Sequence, residues 1–532
     1  MIGNMKLLLQ KKIESVLQDL QETGALPQFV LPEIRVERPR EEQFGEYTTN
    51  VALALSKLAK KNPMEIAELL QKKLTSDDFE KVEVVAPGYL NFYLSQKEIS
   101  SVIEKILKEG KEYGASGMGQ GVKVNNEFIS ANPTGPLHLG NARGGFYTDT
   151  LSSVLCKAGF DVTNEYYVND AGEQVLKLGH SVLKDAEAVY AGDYIEQLAA
   201  DNQETGVRET GEWAAKEVLE NMIKKSVAEQ MQVHFDIWTS EKKIIEDGFV
   251  DKALTVLKEK NLTFESEGAL WLRTTEFGDD KDRVLVKQDG VKTYFASDAG
   301  YILNKMERGF TSFIETWGAD HHGYINRFKA VAQALGFTGD IHFLIVQMVK
   351  VVKDGVEVRM SKRAGNVISV DELIETVGHD VARFFFLMYA PETHMNFDLG
   401  LAEERSQKNP VFYVQYAHAR LCSILRKAEE EGMTLTQGDL SLLTHTKERE
   451  LIRELMFFPE LVETVAVDFS VHRLPQYAMK LADKFHSFYD ACRVIDAENK
   501  EMTEARLQLV LATKVVLAET LALMGISAPE KM

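Results

Sequence analysis

The chain has 532 residues, with 61 Lys and Arg against 81 Asp and Glu, and a formal net charge of −20 at neutral pH. That length has room for roughly three domains. The acidic surplus excludes a general nucleic-acid coat, whose affinity is mostly phosphate neutralisation by Lys and Arg, but leaves open RNA held on local basic strips. Cys156, Cys422 and Cys492 lie far apart and show no metal-ligand spacing, which argues against a disulfide framework or a zinc site and fits a reducing compartment. The amphipathic start MIGNMKLLLQKKIESVLQDL carries charges throughout, unlike a signal peptide. No later run reaches the ~18 apolar residues of a membrane span. A soluble, cytoplasmic protein with no membrane partner is expected.

Residues 1–113 read as a separate α+β module. Helical periodicity covers the first part of the chain and Thr49 to Leu74, interrupted at Asn62-Pro63, where Pro can open a new helix. Strand-like runs, Ile34 to Glu37 and Val82 to Val85, lie between and after them. The run Gly-Ala-Ser-Gly-Met-Gly-Gln-Gly from Gly114 has the composition of a flexible linker.

Val122 to Thr150 reads VKVNNEFISANPTGPLHLGNARGGFYTDT: a buried strand ending in Phe128 and Ile129, a tight Pro/Gly loop, and a helix opening near Gly140. The first turn of a helix has unpaired N–H groups and the positive end of the dipole, so an anion is stabilised there. His138 and Asn141 fall one turn apart on one face. Both can donate to phosphate oxygens, and Gly140 lets a flat group lie close. A nucleotide is the natural ligand.

A second strand is expected at Val162 to Val168, with Asp170 capping the helix that follows. Alternating strand and helix predicts a parallel sheet. From about 181 to 263 the chain reads long, helical and polar, as an insertion between two halves of that sheet. Val284 to Lys287 and Lys292 to Phe295 read as strands around an Asp289-Gly290 turn, and Ser312 to Glu315 as a strand running into Gly318-Ala319-Asp320-His321-His322-Gly323. Asp-His-His could be a metal site, but no third ligand motif lies nearby, and ligand contact at the carboxyl end of a parallel strand fits better. A hairpin turns at Asp354-Gly355, and its outgoing arm carries Arg359 to Asn366. From Val381 the strands stop. Val411 to Leu425 and Thr503 to Met524 are amphipathic helices.

The string Pro-Thr-Gly-Pro-Leu-His-Leu-Gly-Asn from Pro133 resembles the first signature of class I aminoacyl-tRNA synthetases, and Arg359-Met360-Ser361-Lys362-Arg363 resembles the second. The stretches QFGEYTTNVALALSK and VAPGYLNFYLS, the helix NPVFYVQYAHARLCSILRKA and the tail LALMGISAPEKM resemble those of the arginyl-tRNA synthetase family. The resemblance implies a multidomain α/β protein. Its parts are an N-terminal α+β module on the tRNA elbow (1–113), a Rossmann-like parallel-sheet catalytic domain (114–380) whose insertion guides the acceptor end, and a C-terminal all-helical anticodon-binding domain (381–532).

It also implies ATP-dependent ligation of L-arginine to its cognate tRNA through an arginyl-adenylate, with magnesium on ATP, no tightly bound metal, and a monomer. His138, Asn141 and Lys362 would be catalytic. Pro133, Gly135, His138, Gly140, Asn141, Asp320, His321, Arg359, Met360, Ser361 and Lys362 would hold ATP. Arginine would meet Glu127, Ser130, Asn132, Tyr294 and Asp298. A planar guanidinium calls for rigidly held carboxylates, which Glu127 and Asp298 can supply. The chain departs from the pattern at Asn141, where a second His is usual, and at Arg359 and Arg363 in place of a Lys and a Ser. A ligase for another amino acid and a tRNA-binding regulator without catalysis are the competing readings.

Overall fold

The computed structural model describes residues 5–39, 41–358, 368–433 and 438–532. Its centre is a five-stranded parallel sheet in the order Asp340–Val346, Ser312–Gly318, Lys123–Glu127, Asp161–Val168, Ile237–Ser240. Lys123–Glu127 lies in the middle, and every residue after Lys123 is buried. It stops two residues short of the predicted end, because Ile129 and Ser130 take left-handed backbone, with φ of 64° and 39°. A β-branched residue pays a steric penalty in that region. Here the turn throws the chain out of the sheet into the loop that precedes the helix Leu139–Lys157.

That helix crosses the sheet closely. A Cβ on Gly145 would stand 2.6 Å from the Met231 methyl and 2.9 Å from the Ile129 Cδ1, so the small residue lets these side chains pack directly on the helix. The sheet register also sets Glu315 opposite Glu127 and Glu127 opposite Glu165. Three carboxylates side by side would repel one another. The helix Tyr294–Glu307 packs over the row and supplies Lys305 and, at its end, Arg308.

Several local expectations are corrected. The four residues Ile237–Ser240, within the stretch expected to be helical, form an edge strand of the central sheet; so short a run carries no period, and only pairing with Asp161–Val168 makes it a strand. Lys292 to Phe295 is not a strand arm: after one bridge between Val286 and Lys292, Thr293 caps the helix that starts at Tyr294. Asp170 does not cap Glu173–Leu183, whose N-cap is Gly172. Its carboxylate accepts from Ser240 Oγ at 2.6 Å and Lys242 N at 3.0 Å, tying together two strand ends. Past Val381 one more strand, Met395–Asp398, pairs with Val349–Lys353 before the helices take over.

The N-terminal module has the predicted helices Met5–Glu22 and Pro63–Leu74, the latter capped by Asn62, with Val51–Ala59 between them and a four-stranded antiparallel sheet. It is clasped to the terminal helices. Arg38 donates to both Glu454 oxygens, at 3.2 and 2.6 Å; Tyr47 Oη donates to Glu460 at 2.7 Å, and Tyr113 Oη to the Leu455 carbonyl at 3.1 Å. The run from Gly114 is tied down rather than free, since Ser116 N and Gly119 N donate to the carbonyls of Lys157 and Ala158 at 3.1 and 3.0 Å. The C-terminal helices include Pro410–Glu430, Thr446–Met456, Arg473–Ala491 and Lys500–Leu523.

Candidate active site

A cavity of about 880 Å³ opens at the carboxyl ends of Lys123–Glu127 and Ser312–Gly318, where open parallel sheets bind ligands. Glu127, Ser130, Asn132, Gly135, His138, Asn141, Tyr294, Asp298, Asp320 and His321 all line it. Pro133 and Gly140 do not, and Arg359 to Asn366, Lys362 among them, lie outside the described residues.

At one end, His138 is the N-cap of Leu139–Lys157. Its Nδ1 accepts from Gly140 N at 3.1 Å and Asn141 N at 3.4 Å, while Asn141 Oδ1 accepts from His138 N at 3.0 Å. This corrects the expectation of free helix N–H groups, because part of the first turn caps itself. The cap also fixes chemistry. With Nδ1 as acceptor, the neutral ring carries its proton on Nε2, and burial lowers the His138 pKa, favouring that neutral form. Asn141 has spent its carbonyl oxygen, so its NH₂ remains the donor. A Cβ on Gly140 would stand 3.0 Å from the His138 ring. Ser369 bridges His138, and Val370 N donates to the Leu137 carbonyl at 3.0 Å, so the segment after residue 367 closes this side. Tyr194, from the insertion, donates to the Thr134 carbonyl at 3.1 Å and holds the loop from the other side.

At the other end, Tyr294 and Asp298 lie one turn apart on Tyr294–Glu307. Tyr294 stands at the rim, 60% exposed. Asp298 faces the cavity without a hydrogen-bond partner or ion pair among the described residues, and its pKa is pushed up to about 7. Burial is the main cause; Arg327 pulls it down and Glu127 pushes it further up. Glu127 is engaged already: Oε2 accepts from Tyr301 Oη at 2.7 Å and Lys305 Nζ at 2.6 Å, and Oε1 accepts from Ser130 Oγ at 3.2 Å. Ser130 Oγ also accepts from Tyr167 N at 3.0 Å, so its hydroxyl is held in place at the cavity wall. Asn132 stands between the two ends beside Asn169, whose amide, oriented by its neighbours, donates to Glu241 Oε2 at 2.7 Å. Glu241 is pushed up to about 7 by burial, with Asp298 and Asp170 adding to the effect.

Asp320 and His321 sit in the 3₁₀ turn Ala319–Tyr324 at the end of Ser312–Gly318, 3.4 Å apart and largely exposed. Arg327 lines the cavity one turn on, stacked on Tyr324 at 3.9 Å, with its Nε buried and unpartnered. Sequence patterns missed Tyr301, Lys305, Glu315, Arg327 and Tyr194. The first two carried a signal, since 298, 301 and 305 share a helix face that would otherwise be apolar.

The family described as "tRNA synthetases class I (R), catalytic domain" matches residues 184–383, "Arginyl tRNA synthetase N terminal domain" residues 7–94, and "DALR anticodon binding domain" residues 414–532. The chain is 43% identical to an arginine–tRNA ligase of Geobacillus thermodenitrificans, with 100% of both chains covered, and 44% identical to one of Anoxybacillus flavithermus, covering 98% of this chain and 99% of that one. The solved arginyl-tRNA synthetase of Thermus thermophilus shares the fold at 24% identity, with a TM-score of 0.78 over 99% of this chain and 100% of that one. Together with the two-ended cavity, these likenesses show that the chain belongs to the arginine–tRNA ligases, the arginyl branch of the class I aminoacyl-tRNA synthetases.

Proposed function

We propose how the cavity residues divide the work of the ATP-dependent ligation of L-arginine to its cognate tRNA, the reaction of this family. The unpartnered Asp298 carboxylate, facing a cavity whose opposite end offers neutral donors, carries the assignment. Asp298 and Glu127 Oε1 take the guanidinium, Tyr294 covers it from the rim, and Ser130 and Asn132 meet the α-amino and carboxylate end. His138 Nε2–H and the Asn141 amide reach the α- and β-phosphate side, with Gly135 and Pro133 shaping the loop. Asp320 and His321 meet the adenosine, and Arg359, Met360, Ser361 and Lys362 serve the leaving pyrophosphate.

The arginine carboxylate oxygen attacks the α-phosphorus, the bond to the bridging oxygen breaks, and pyrophosphate leaves with that electron pair. The ribose hydroxyl of the tRNA end then attacks the adenylate carbonyl and AMP leaves. Negative charge gathers on phosphate oxygens in the first step, so neutral and cationic donors aimed at those oxygens are the catalytic elements. Magnesium comes with the nucleotide as its counter-ion. No three His, Cys, Asp or Glu converge among the described residues to hold a metal, and no step is assigned to one.

We assign residues 1–113 to the tRNA elbow, the insertion at about 181–263 to the acceptor end, and 381–532 to the anticodon, on a cytoplasmic monomer. Among the described residues no helix is long and apolar enough to cross a membrane. The test is exchange of labelled pyrophosphate into ATP, with and without tRNA. Arginine should support it and lysine should not, since a point charge cannot bridge two carboxylates as a planar fork does. Exchange indifferent to the amino acid would refute the assignment.

A further inference from the structure

The helix Tyr294–Glu307 sets Asp298, Tyr301 and Lys305 on one face, over the row Glu315, Glu127, Glu165. Lys305 is 0% exposed. Its Nζ donates to Glu127 Oε2 at 2.6 Å and to Glu315 Oε1 at 2.7 Å, and lies 4.5 and 5.6 Å from the ring centres of Tyr301 and Phe313. Tyr301 Oη donates to the same Glu127 Oε2 at 2.7 Å. Two donors from one helix therefore fill both lone pairs of Oε2. Among the described residues Oε1 accepts only the Ser130 hydroxyl, at 3.2 Å, which leaves capacity for one more donor.

We infer that Lys305 is a specificity-determining positioning residue: with Tyr301 it locks Glu127 so that a single oxygen, Oε1, is offered to the cavity beside the free carboxylate of Asp298. This rests on the assignment of Asp298 and Glu127 to the guanidinium. Within the row, Lys305 and Arg308 meet the carboxylates, and burial pushes Glu315 up to about 8. A ligand cation is therefore left to Asp298 and the available Glu127 oxygen, and the lock dictates where it must sit. A guanidinium can donate to Oε1 and Asp298 at once, whereas an ammonium at either point leaves the other unpaired.

Lys305 also keeps Glu127 an acceptor. Held this way, Oε1 accepts from the N–H groups of a guanidinium but offers no donor to the carbonyl oxygen of a neutral ureido analogue of arginine; without the Lys305 pin Oε1 is no longer fixed there, and the penalty on that oxygen relaxes. The lysine so sets the preference for a charged guanidinium over its neutral isostere.

The test is Lys305→Met combined with Glu315→Gln, which removes the buried ammonium together with the second carboxyl it donates to, with pyrophosphate exchange measured on arginine and on citrulline, its ureido isostere. The KM for arginine should rise about tenfold or more, the KM for ATP stay within about twofold, and the arginine-to-citrulline ratio of kcat/KM fall about tenfold or more. A folded double variant with an unchanged ratio would overturn the inference, leaving Lys305 a core ion pair. If circular dichroism shows that the double variant does not fold, Tyr301→Phe removes the other pin without uncovering a charge. It should raise the arginine KM about three- to tenfold with the ATP KM steady; no change there overturns the inference equally. Asp298→Asn, run alongside, separates the levels. If it too leaves arginine untouched, the guanidinium assignment has failed; if it alone weakens arginine, only the role of Lys305 has.

Discussion

Asp298→Asn keeps the side chain's size and removes its charge, and it should act on arginine and on stability in opposite directions. In the free protein the carboxyl has no partner among the described residues and its pKa is held near 7, chiefly by burial. On the proposed assignment the guanidinium supplies the missing donors. Loss of a charge-assisted hydrogen bond costs about 1.5 to 3 kcal/mol. At about 1.36 kcal/mol per decade, kcat/KM for arginine should drop roughly 10- to 150-fold, while the KM for ATP holds. For stability the sign follows from the raised folded value. An unfolded Asp, with its ordinary value of 3.8, releases its proton before the folded one, so the ionised group penalises the fold increasingly from about pH 4 to about pH 7 and constantly above.

The Asn variant escapes that penalty. Without ligand it should melt above the parent at pH about 8 and with it at pH about 4. Saturating arginine should reverse the order at the higher pH, because ligand binding adds stability only where binding is tight. Pyrophosphate exchange and melting scans with and without arginine measure all three effects. An arginine kcat/KM within about twofold of the parent, in folded protein, would refute the reasoning.

The arginine KM of the parent should rise as pH falls below about 7, by up to about tenfold per pH unit, as Asp298 takes up its proton. The phosphate end should respond less over the same window because desolvation holds His138 below the usual imidazole value, so equal pH slopes for arginine and ATP would contradict the division of roles. Asn141→Asp can still accept from His138 N and keep the helix capped, but it sets a negative charge at the phosphates. It should melt higher than Asn141→Ala, by about 1 kcal/mol of cap energy, and yet adenylate more slowly, with Ala itself about 10- to 1000-fold below the parent; Asp equal to Asn in rate would take Asn141 away from the phosphates. Lys362→Ala should lower the rate of adenylate formation and spare arginine affinity, since its charge acts as pyrophosphate develops. Parental single-turnover rates would remove it from the reaction.

The elements legible without a structure were those written in local strings. Asn62-Pro63 announced a helix start that Asn62 caps, and the segment around His138 announced strand, loop and helix in the right order. Each depends on contacts within a few residues: a cap, a helix turn, a periodic face. The strings around His138, Asp298 and Asp320 likewise pointed to one cavity, although Pro133 and Gly140 are not among its lining residues.

What tertiary structure decided lay between distant segments. No local pattern says that Ile237–Ser240 is a strand, that Asp170 serves a strand end rather than a helix, or that a glycine-rich run is docked on Lys157 and Ala158. The row Glu315, Glu127, Glu165 depends on sheet register, and its neutralisation by Lys305 and Arg308 on a helix from another part of the chain packing over it. The division of Glu127 into a filled oxygen and an available one is decided there too. Caps and helical faces are local and can be read from neighbouring letters, whereas a buried charge is tolerable only once the whole sheet and the helix above it have brought its partner within about 3 Å.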